Sequence, residues 1–505
     1  MTSKKFSRQF IMSSVKSNKF EDFQNTLFGN YYVYVHPLLP FKKIDAKNVK
    51  ILLLGYIIDP HSPHLQDDEI LLYICNNTQT VDDVSELLYP LSGRFALFIE
   101  INKQLFVFHD PCGFRTVTYT KTDEGLIFGS DEQIINEIIT LKKGEKFAEY
   151  ENSELKKELE NWIFAGVSLY ERTYKLIPNH YLKTDALIQI RYFPNKKVIK
   201  TDDIESIVKK SIGILVGTFS ALKHRNYSLA CTVTAGRDTR LLMAFLDNSC
   251  EDVFYYTMSY RSVVNNHYDI KVPAKILKEL GIHHNIFDCT SSPSVDFLSV
   301  YMKNSTMAHE ELCAICYGMD KYYPKERLNI KGLSSAIPSW RYSSTLIGFS
   351  CYEDFVNKVG YYSQLELSFN EKALKQWFDE AKFFQDNFYI SLLDLVYWEQ
   401  RCGSWAAQGQ LEWDIVQETY NPHNNRELLY TMLTLHHNYR KKHDNKLYKK
   451  IISNKTPILL KFPYDNEKNL IIKLFKTTKR FTKKSLKSLG INVHLIRKIK
   501  KVIKK

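Results

Sequence analysis

Near residue 200 the hydrophobic rhythm of the chain changes, and no single sheet type accommodates both sides of the change. From about 30 to 195, short β-branched and aromatic runs alternate with turn residues: NYYVYVHPL, VKILLLGYIID, GRFALFIEI, QLFVFHDP, TVTYTKT and GLIFGS. Strands this close in sequence pair as antiparallel hairpins. Two shorter helical patterns, near 80–89 and 131–141, interrupt them and make the layout α+β. Beyond the change, Ile204, Ile207, Val208, Ile212, Leu215, Val216, Phe219 and Leu222 recur at helix spacing behind Asp202 and Asp203. Strand 227–233, helix 240–247, strand 253–258, helix 269–280 and strand 284–288 then alternate. That βαβαβ order predicts a doubly wound parallel sheet, which binds ligands at the carboxyl ends of its strands. From about 294 to 465 the pattern is mostly helical. The expected fold class is therefore α+β followed by α/β, with domains at 1–195 and 196–465 and a basic tail at 466–505.

Composition narrows the class. With 505 residues, 44% of them hydrophobic, the chain can bury roughly two to four cores. No apolar run approaches the ~20 residues that span a bilayer, and ILLLGYII at 51–58 is strand-sized. Nine scattered cysteines give no disulfide framework and fit a reducing, cytoplasmic compartment. Cys313 and Cys316 have CxxC spacing but no second pair, so they read as two buried helix cysteines. The opening MTSKKFSRQFIMSSVKSNKF lacks a secretory core; an ordinary basic leader and a transit peptide both stay open. The formal charge of +13 is local: residues 468–505 hold fourteen Lys/Arg and no Asp/Glu, and the rest of the chain is near neutral. NLIIKLF and VHLIRKIKKVIKK mix apolar and basic residues, as interfacial helices do, so the tail is either a membrane-touching or a solvated segment. A positive charge confined to the tail argues against a nucleic-acid partner.

The stretch SLACTVTAGRDTRLLMAFL, 228–246, places Thr234-Ala235-Gly236-Arg237-Asp238-Thr239-Arg240 between the first parallel strand and its helix. The first-turn N–H groups of such a helix lack partners and carry partial positive charge. Ala235 and Gly236 let the backbone approach a phosphate, Thr234 and Thr239 can donate to it, and Asp238 can hold Mg²⁺. Neither GxxxxGK[ST] nor GxGxxG is present.

The loop resembles SGGxDSR, the pyrophosphate loop of asparagine synthetases and their ATP-pyrophosphatase relatives, with Gly236, Asp238 and Arg240 kept. Residues 91–135 resemble the class II glutaminase domain of that family through Gly93, Phe95, Ala96, Asp110, Gly113, Tyr119 and Ser130. GVSLYERTYKLIPNHYL resembles the linker of such chains, and YTMSYRSVVNNHYDIKVPAKILKELGIHHNIFDC their second strand and following helix. YWEQRCGSWAAQGQLEWD and YNPHNNRELLYTML are similar to C-terminal helices of members found among glycan-assembly proteins. The resemblance runs over about 50–465. It implies an Ntn-hydrolase-like αββα sandwich followed by an ATP-pyrophosphatase domain of the adenine nucleotide α-hydrolase kind.

Two departures stand out. Relatives that hydrolyse glutamine expose an N-terminal Cys, whereas residue 2 here is Thr and the first cysteine is Cys75. The strands are expected to begin some 25 residues after Thr2, leaving a displaced arm. The Asn-Gly turn that holds glutamine has Gly55-Tyr56-Ile57-Ile58-Asp59 as its expected counterpart. The glutaminase-like domain is therefore expected to be inactive, as in the similar β-lactam-forming synthetases. At the second acidic site Gly332 fits, but Ser335 and Ala336 stand where Gly and a carboxylate belong; Glu310 or Glu311 could substitute. Lys455 and Lys461 lie where a catalytic lysine would fall.

What the resemblance implies is a ligase using ATP and Mg²⁺. A carboxylate attacks the α-phosphate, pyrophosphate leaves, and an amine or ammonia displaces AMP. Asp238 and Arg240 would be catalytic, with Asp238 as metal ligand. Val233, Thr234, Ala235, Gly236, Arg237, Thr239, Thr257, Met258 and Gly332 would bind the nucleotide, adenine lying near Val233 and Thr257-Met258. Expected partners are a small-molecule or glycan carboxylate and, through the tail, an anionic membrane surface; self-association into a homo-oligomer is allowed for. A non-catalytic homologue acting as a scaffold, and a tRNA-modifying ATP pyrophosphatase, are the alternatives.

Overall fold

The computed structural model describes residues 4–464 except 47, 160, 247–251, 265 and 342–348. The basic tail and Thr2 lie outside the described residues, and with them the expectations placed there.

Period-2 patterning builds the first half. In Val49–Ile58, Leu52 and Leu54 face one side while Ile51 and Leu53 face the other, and all four are buried. A strand buried on both faces needs a layer on each. One layer is a second antiparallel sheet, whose Phe10, Met12, Val33 and Phe128 interlock with Leu52, Leu54, Phe98 and Val107. The other is helical: Asp67–Asn77 and Val81–Leu87 press Ile70, Leu71, Ile74 and Val84 on Ile51, Leu53, Leu97 and Ile99. Helices Glu132–Ile135 and Glu145–Glu151 cover the far side of the partner sheet. Each sheet has six strands, and the layers run α, β, β, α.

In the second half, strands Leu229–Thr232, Phe254–Ser259, Asn285–Asp288, Leu328–Ile330 and Thr419–Tyr420 form one five-stranded, all-parallel sheet. Leu229–Thr232 and Leu328–Ile330 are neighbours in it although they are far apart in sequence. The crevice at their carboxyl ends is therefore the topological switch point. Helices cover both faces: Ile204–His224, Arg237–Leu246 and Lys446–Lys455 on one, Val295–Lys303 and Glu310–Tyr322 on the other.

The α/β and α+β fold class holds, with corrections in detail. The N-terminal segment is no displaced arm. Phe10–Ser13 is a buried strand between Gly125–Gly129 and Tyr31–Val35, and residues 6–9 ahead of it are buried too. Its apolar run, FIMS, is too short to stand out among basic neighbours. Gly55-Tyr56-Ile57-Ile58 is no turn but the end of Val49–Ile58, paired with Ser92–Ile101. Gly55 has φ +110°, and a Cβ there would lie 2.1 Å from the Arg94 carbonyl oxygen, so only glycine fits. The pattern at 131–141 yields only the short helix Glu132–Ile135; the Asn136 side chain accepts the Leu141 N–H at 2.9 Å and the chain turns away. Cys313 and Cys316 are buried on one helix, as expected. Among the described residues no helix is long and apolar enough to cross a membrane.

The two halves touch closely at Gly217, where a Cβ would lie 1.9 Å from the Pro60 carbonyl oxygen. Gly217→Ala is expected to lower stability by about 1–3 kcal/mol, because overpacking against backbone outweighs the helix-propensity gain of about 1 kcal/mol. Chemical denaturation of the full chain checks this; an unchanged or higher midpoint would show that the contact yields.

Candidate functional site

The loop leaves its strand where Val233 still donates to the Tyr256 carbonyl (2.8 Å). It then closes on itself: Thr234 Oγ1 accepts the Gly236 N–H (3.2 Å), and Thr239 Oγ1 donates to the Gly236 carbonyl (3.3 Å). Ala235 N–H is held by Asp269 Oδ1 at 3.0 Å. Arg240, fully buried, donates to the carbonyls of Ala235 (3.0 Å) and Phe462 (2.6 Å), and its guanidinium lies 4.2 Å from the Tyr464 ring centre. The helix Arg237–Leu246 therefore starts from a loop clamped from beneath, with its first turn facing the crevice.

Two cavities meet at this turn. The larger, about 550 Å³, is lined by Thr234, Gly236, Asp238 and Thr239 from the loop, and by Met258 and Tyr260 at the carboxyl end of the second strand. Lys331 and Gly332 line it beyond the fourth strand, and Trp405, Gln408, Glu412 and Trp413 close it. These last residues come from a long helix whose middle, Val396–Ala406, winds as a π-helix before continuing as Ala407–Trp413. The smaller, about 120 Å³, is lined by Gly236, Arg237, Asp238, Ser339, Arg341, Lys442, Tyr448 and Tyr464. Asp238 and Gly236 belong to both, so the carboxylate stands in the partition between an aromatic chamber and a cationic one. Burial raises the Asp238 pKa; Arg341, a hydrogen bond from Ser335, Arg237 and Lys442 oppose it.

The structure thus gathers Thr234, Gly236, Asp238, Thr239, Met258 and Gly332 at the large cavity and Arg237 at the small one. Val233 and Ala235 are packed in the core, and Thr257 Oγ1 is engaged by the Val233 carbonyl (2.7 Å) and His284 Nε2 (2.8 Å); none of the three lines either cavity. Arg240 also lines neither, which corrects its expected catalytic place: it holds the loop backbone instead. Ala336 is buried in the turn after Gly332 and brings no carboxylate of its own to the site. Glu310 and Glu311 are exposed and line neither cavity, so neither replaces the missing acid. Lys455 lies over the Phe245 ring and Lys461 is exposed, both away from the cavities.

Sequence reasoning missed Lys331, Glu412, Arg341 and Lys442. Lys331 had a usable signal, since it follows the fourth strand and precedes Gly332 at the switch point. Burial draws its pKa down to about 7. Burial pushes Glu412 up to about 7 against hydrogen bonds from Tyr301 (2.6 Å) and Gln408 (2.8 Å). Among the described residues no group of three His, Cys, Asp or Glu side chains is placed to hold a metal. A lone Asp238 fits a Mg²⁺ that takes its other ligands from phosphate oxygens and water, and does not fit an all-protein metal cage.

Fold and site together define a two-part chain, an αββα sandwich followed by a parallel α/β sheet with two adjoining cavities at its switch point. No family model matches the chain, and no curated protein matches it. Among solved structures it is similar to an NH3-dependent NAD synthetase from Campylobacter jejuni in complex with nitrate, at 15% identity. That match covers 27% of this chain and 61% of the other, with a TM-score of 0.20. It is also similar to the glutamine phosphoribosylpyrophosphate amidotransferase of B. subtilis complexed with ADP and GMP: 10% identity, 55% of this chain, 84% of that one, TM-score 0.24. A glutamine-dependent NAD+ synthetase from Acinetobacter baumannii in complex with ADP matches at 12% identity over 50% of this chain and 59% of that one, TM-score 0.20. The chain thus spans less than two thirds of either NAD synthetase. Likenesses at this level assign no activity.

Proposed function

We propose that this chain is an asparagine synthase-like ligase that adenylates a carboxylate with ATP and passes the acyl group to an amine or ammonia. The observation that carries the reading is Asp238 in the partition between the two cavities, at the start of the helix after the first parallel strand. In this reading the triphosphate crosses the partition. The nucleoside and the carboxylate share the aromatic chamber, and the β- and γ-phosphates enter the cationic one.

A carboxylate oxygen attacks the α-phosphorus, the bond to the bridging oxygen breaks, and pyrophosphate leaves with the electron pair. Negative charge grows on the leaving group, where Arg237, Arg341 and Lys442 line the wall and first-turn N–H groups point. Fixed cations aimed at developing charge are the main work this site does. Mg²⁺, when bound through Asp238 and phosphate oxygens, would supply further charge neutralisation there. Arg240 positions the loop without touching substrate.

Thiol chemistry on glutamine has little support. Cys75 sits in a helix with its thiol pushed up to about 11 by burial, and Cys112 is fully buried with its thiol raised. The amine or ammonia in this reading therefore comes from outside the chain.

Pyrophosphate release from Mg-ATP, measured against carboxylates including L-aspartate and D-glucuronate with hydroxylamine as acceptor, tests the reading. Arg341→Ala is expected to raise KM for ATP about tenfold to a hundredfold, the value of a hydrogen bond to a charged group. A non-catalytic scaffold is the second reading, favoured by Ser335 and Ala336 at the expected second carboxylate. It predicts ATP binding by calorimetry without pyrophosphate release. No binding at all sinks the ligase.

A further inference from the structure

The large cavity holds a lysine that the phosphate cradle does not need. Lys331 directly follows the strand Leu328–Ile330, and its N–H is held by the Tyr420 carbonyl at 2.8 Å, so the sheet ladder fixes its position. Its Nζ lies 3.8 Å from the Trp413 ring centre, and the side chain lines the cavity. Among the described residues no carboxylate lies within ion-pair distance of it. The next residue, Gly332, packs on Asp238: a Cβ there would be 3.2 Å from Asp238 Cβ. Lys331 therefore opens into the chamber one residue from the point where the loop and the fourth strand meet.

We propose that Lys331 accepts the proton released when an amine or ammonia attacks the acyl-adenylate. This rests on the ligase reading and deepens it. The nitrogen lone pair forms the C–N bond to the acyl carbon. The bond from that carbon to the AMP oxygen breaks, and its electrons leave with AMP. The proton on nitrogen passes to Lys331 Nζ. The resulting ammonium sits over the Trp413 ring, which stabilises a cation, and returns its proton to solvent through the cavity.

A base must be uncharged to work, and the surroundings favour that form. Burial lowers the Lys331 pKa to about 7; Cys316 raises it, Arg94 lowers it and Asp414 raises it, each to a smaller degree. Glu412, on the helix that carries Trp413, lines the same cavity, and burial pushes it up to about 7. The direction of the pH effect follows. An uncharged base gains population as pH rises through about 7, whereas a lysine acting as a fixed cation would lose it.

The test uses the full chain, Mg-ATP and a carboxylate active with hydroxylamine, comparing ammonia with hydroxylamine between pH 5.5 and 9. Hydroxylamine is the weaker base, and its adduct sheds a proton to water readily. Per free ammonia, the wild-type rate is expected to rise with a midpoint near 7. Lys331→Met should lose about 10²-fold with ammonia, the usual share of a general base, and only a few-fold with hydroxylamine. Lys331→Arg, permanently charged, should fail to rescue. If Lys331→Met misfolds, Lys331→Arg and competitive acetylation of wild-type Lys331, half-reactive near pH 7, decide instead. Equal loss with both nucleophiles, rescue by Arg, a rate that falls through pH 7, or acetylation following that of surface lysines overturns the assignment. Wild-type chain that releases no pyrophosphate with hydroxylamine sinks the ligase reading itself, a result distinct from all of these.

Discussion

In Asp238→Ala, ATP-dependent pyrophosphate release is expected to fall about 10³-fold or more, while thermal stability holds or rises slightly. The loss follows from the donor inventory. Among the described residues, Asp238 is the carboxylate shared by both cavities, and no second acid stands beside it after the fourth strand. A site with two carboxylates can lose one and keep part of its charge neutralisation. Here a phosphate-bound Mg²⁺ would lose its one protein ligand, and the partition would lose the group that keeps triphosphate in register. Removing a single oriented electrostatic contact commonly costs about 10²–10³ in rate, and this residue combines two roles. The stability half of the prediction has its own cause. Burial raises the Asp238 pKa despite three nearby cations, so its charged form is held at a cost that alanine does not bear. Asp238→Asn keeps the shape without the charge and should match Ala in rate. Wild-type turnover in either variant, at saturating ATP, would end the case for this loop as the reaction centre.

The buried central strand was legible in the sequence because burial on two faces writes itself into strand composition. VKILLLGYII is apolar at both parities and reads as a buried strand; the αββα sandwich around it was implied by the family resemblance, not by this run. FKKIDA at 41–46 was missed because that strand lies at the sheet edge with its lysines exposed. DDEILLYICNN was missed because only Ile70, Leu71, Ile74 and Cys75 meet the core, a stripe too narrow to read against the acids at its start. At the site, the strand-to-helix loop could be read, since its chemistry is local. The direction of Arg240 could not. Its partners Phe462 and Pro463 arrive from the far end of the domain, and only packing turns the side chain inward. Lys331 and Glu412 were invisible for the same reason. Lysine is abundant here, and what singles out this one is Trp413, more than eighty positions later, lying against its ammonium.

Asp414→Ala is expected to destabilise the folded chain by about 3–5 kcal/mol, the usual cost of leaving buried charge unpaired. Arg94→Met should cost distinctly less, although it deletes more contacts. Arg94 and Asp414 form a bidentate pair (2.8 Å between Nη2 and Oδ2) across the seam between the sandwich and the parallel-sheet domain. Arg115 reaches Glu418 at 3.0 Å, and Arg8 donates to the Asp414 carbonyl at 2.6 Å. Three guanidinium groups thus face two carboxylates with almost no solvent between them. Burial works to raise the Glu418 pKa, but Arg115, Arg94 and Arg8 outweigh it and hold it near 2. Asp414→Ala leaves three cations on one carboxylate, whereas Arg94→Met leaves two on two. Removing the arginine also frees the Phe114 carbonyl, which it now binds at 3.1 Å, a loss of about 1 kcal/mol. Charge balance therefore predicts the smaller cost for Arg94→Met, and contact counting predicts the larger. Urea midpoints of the two variants decide between them: equal midpoints, or a lower one for Arg94→Met, would show that lost contacts govern this seam. Because residues 4–9 and the strand Phe10–Ser13 enter the same seam, a failed Asp414 variant should also expose the N-terminal segment to protease. That exposure would mark the N-terminal sandwich as a wall of the parallel-sheet domain, held to it by ion pairs.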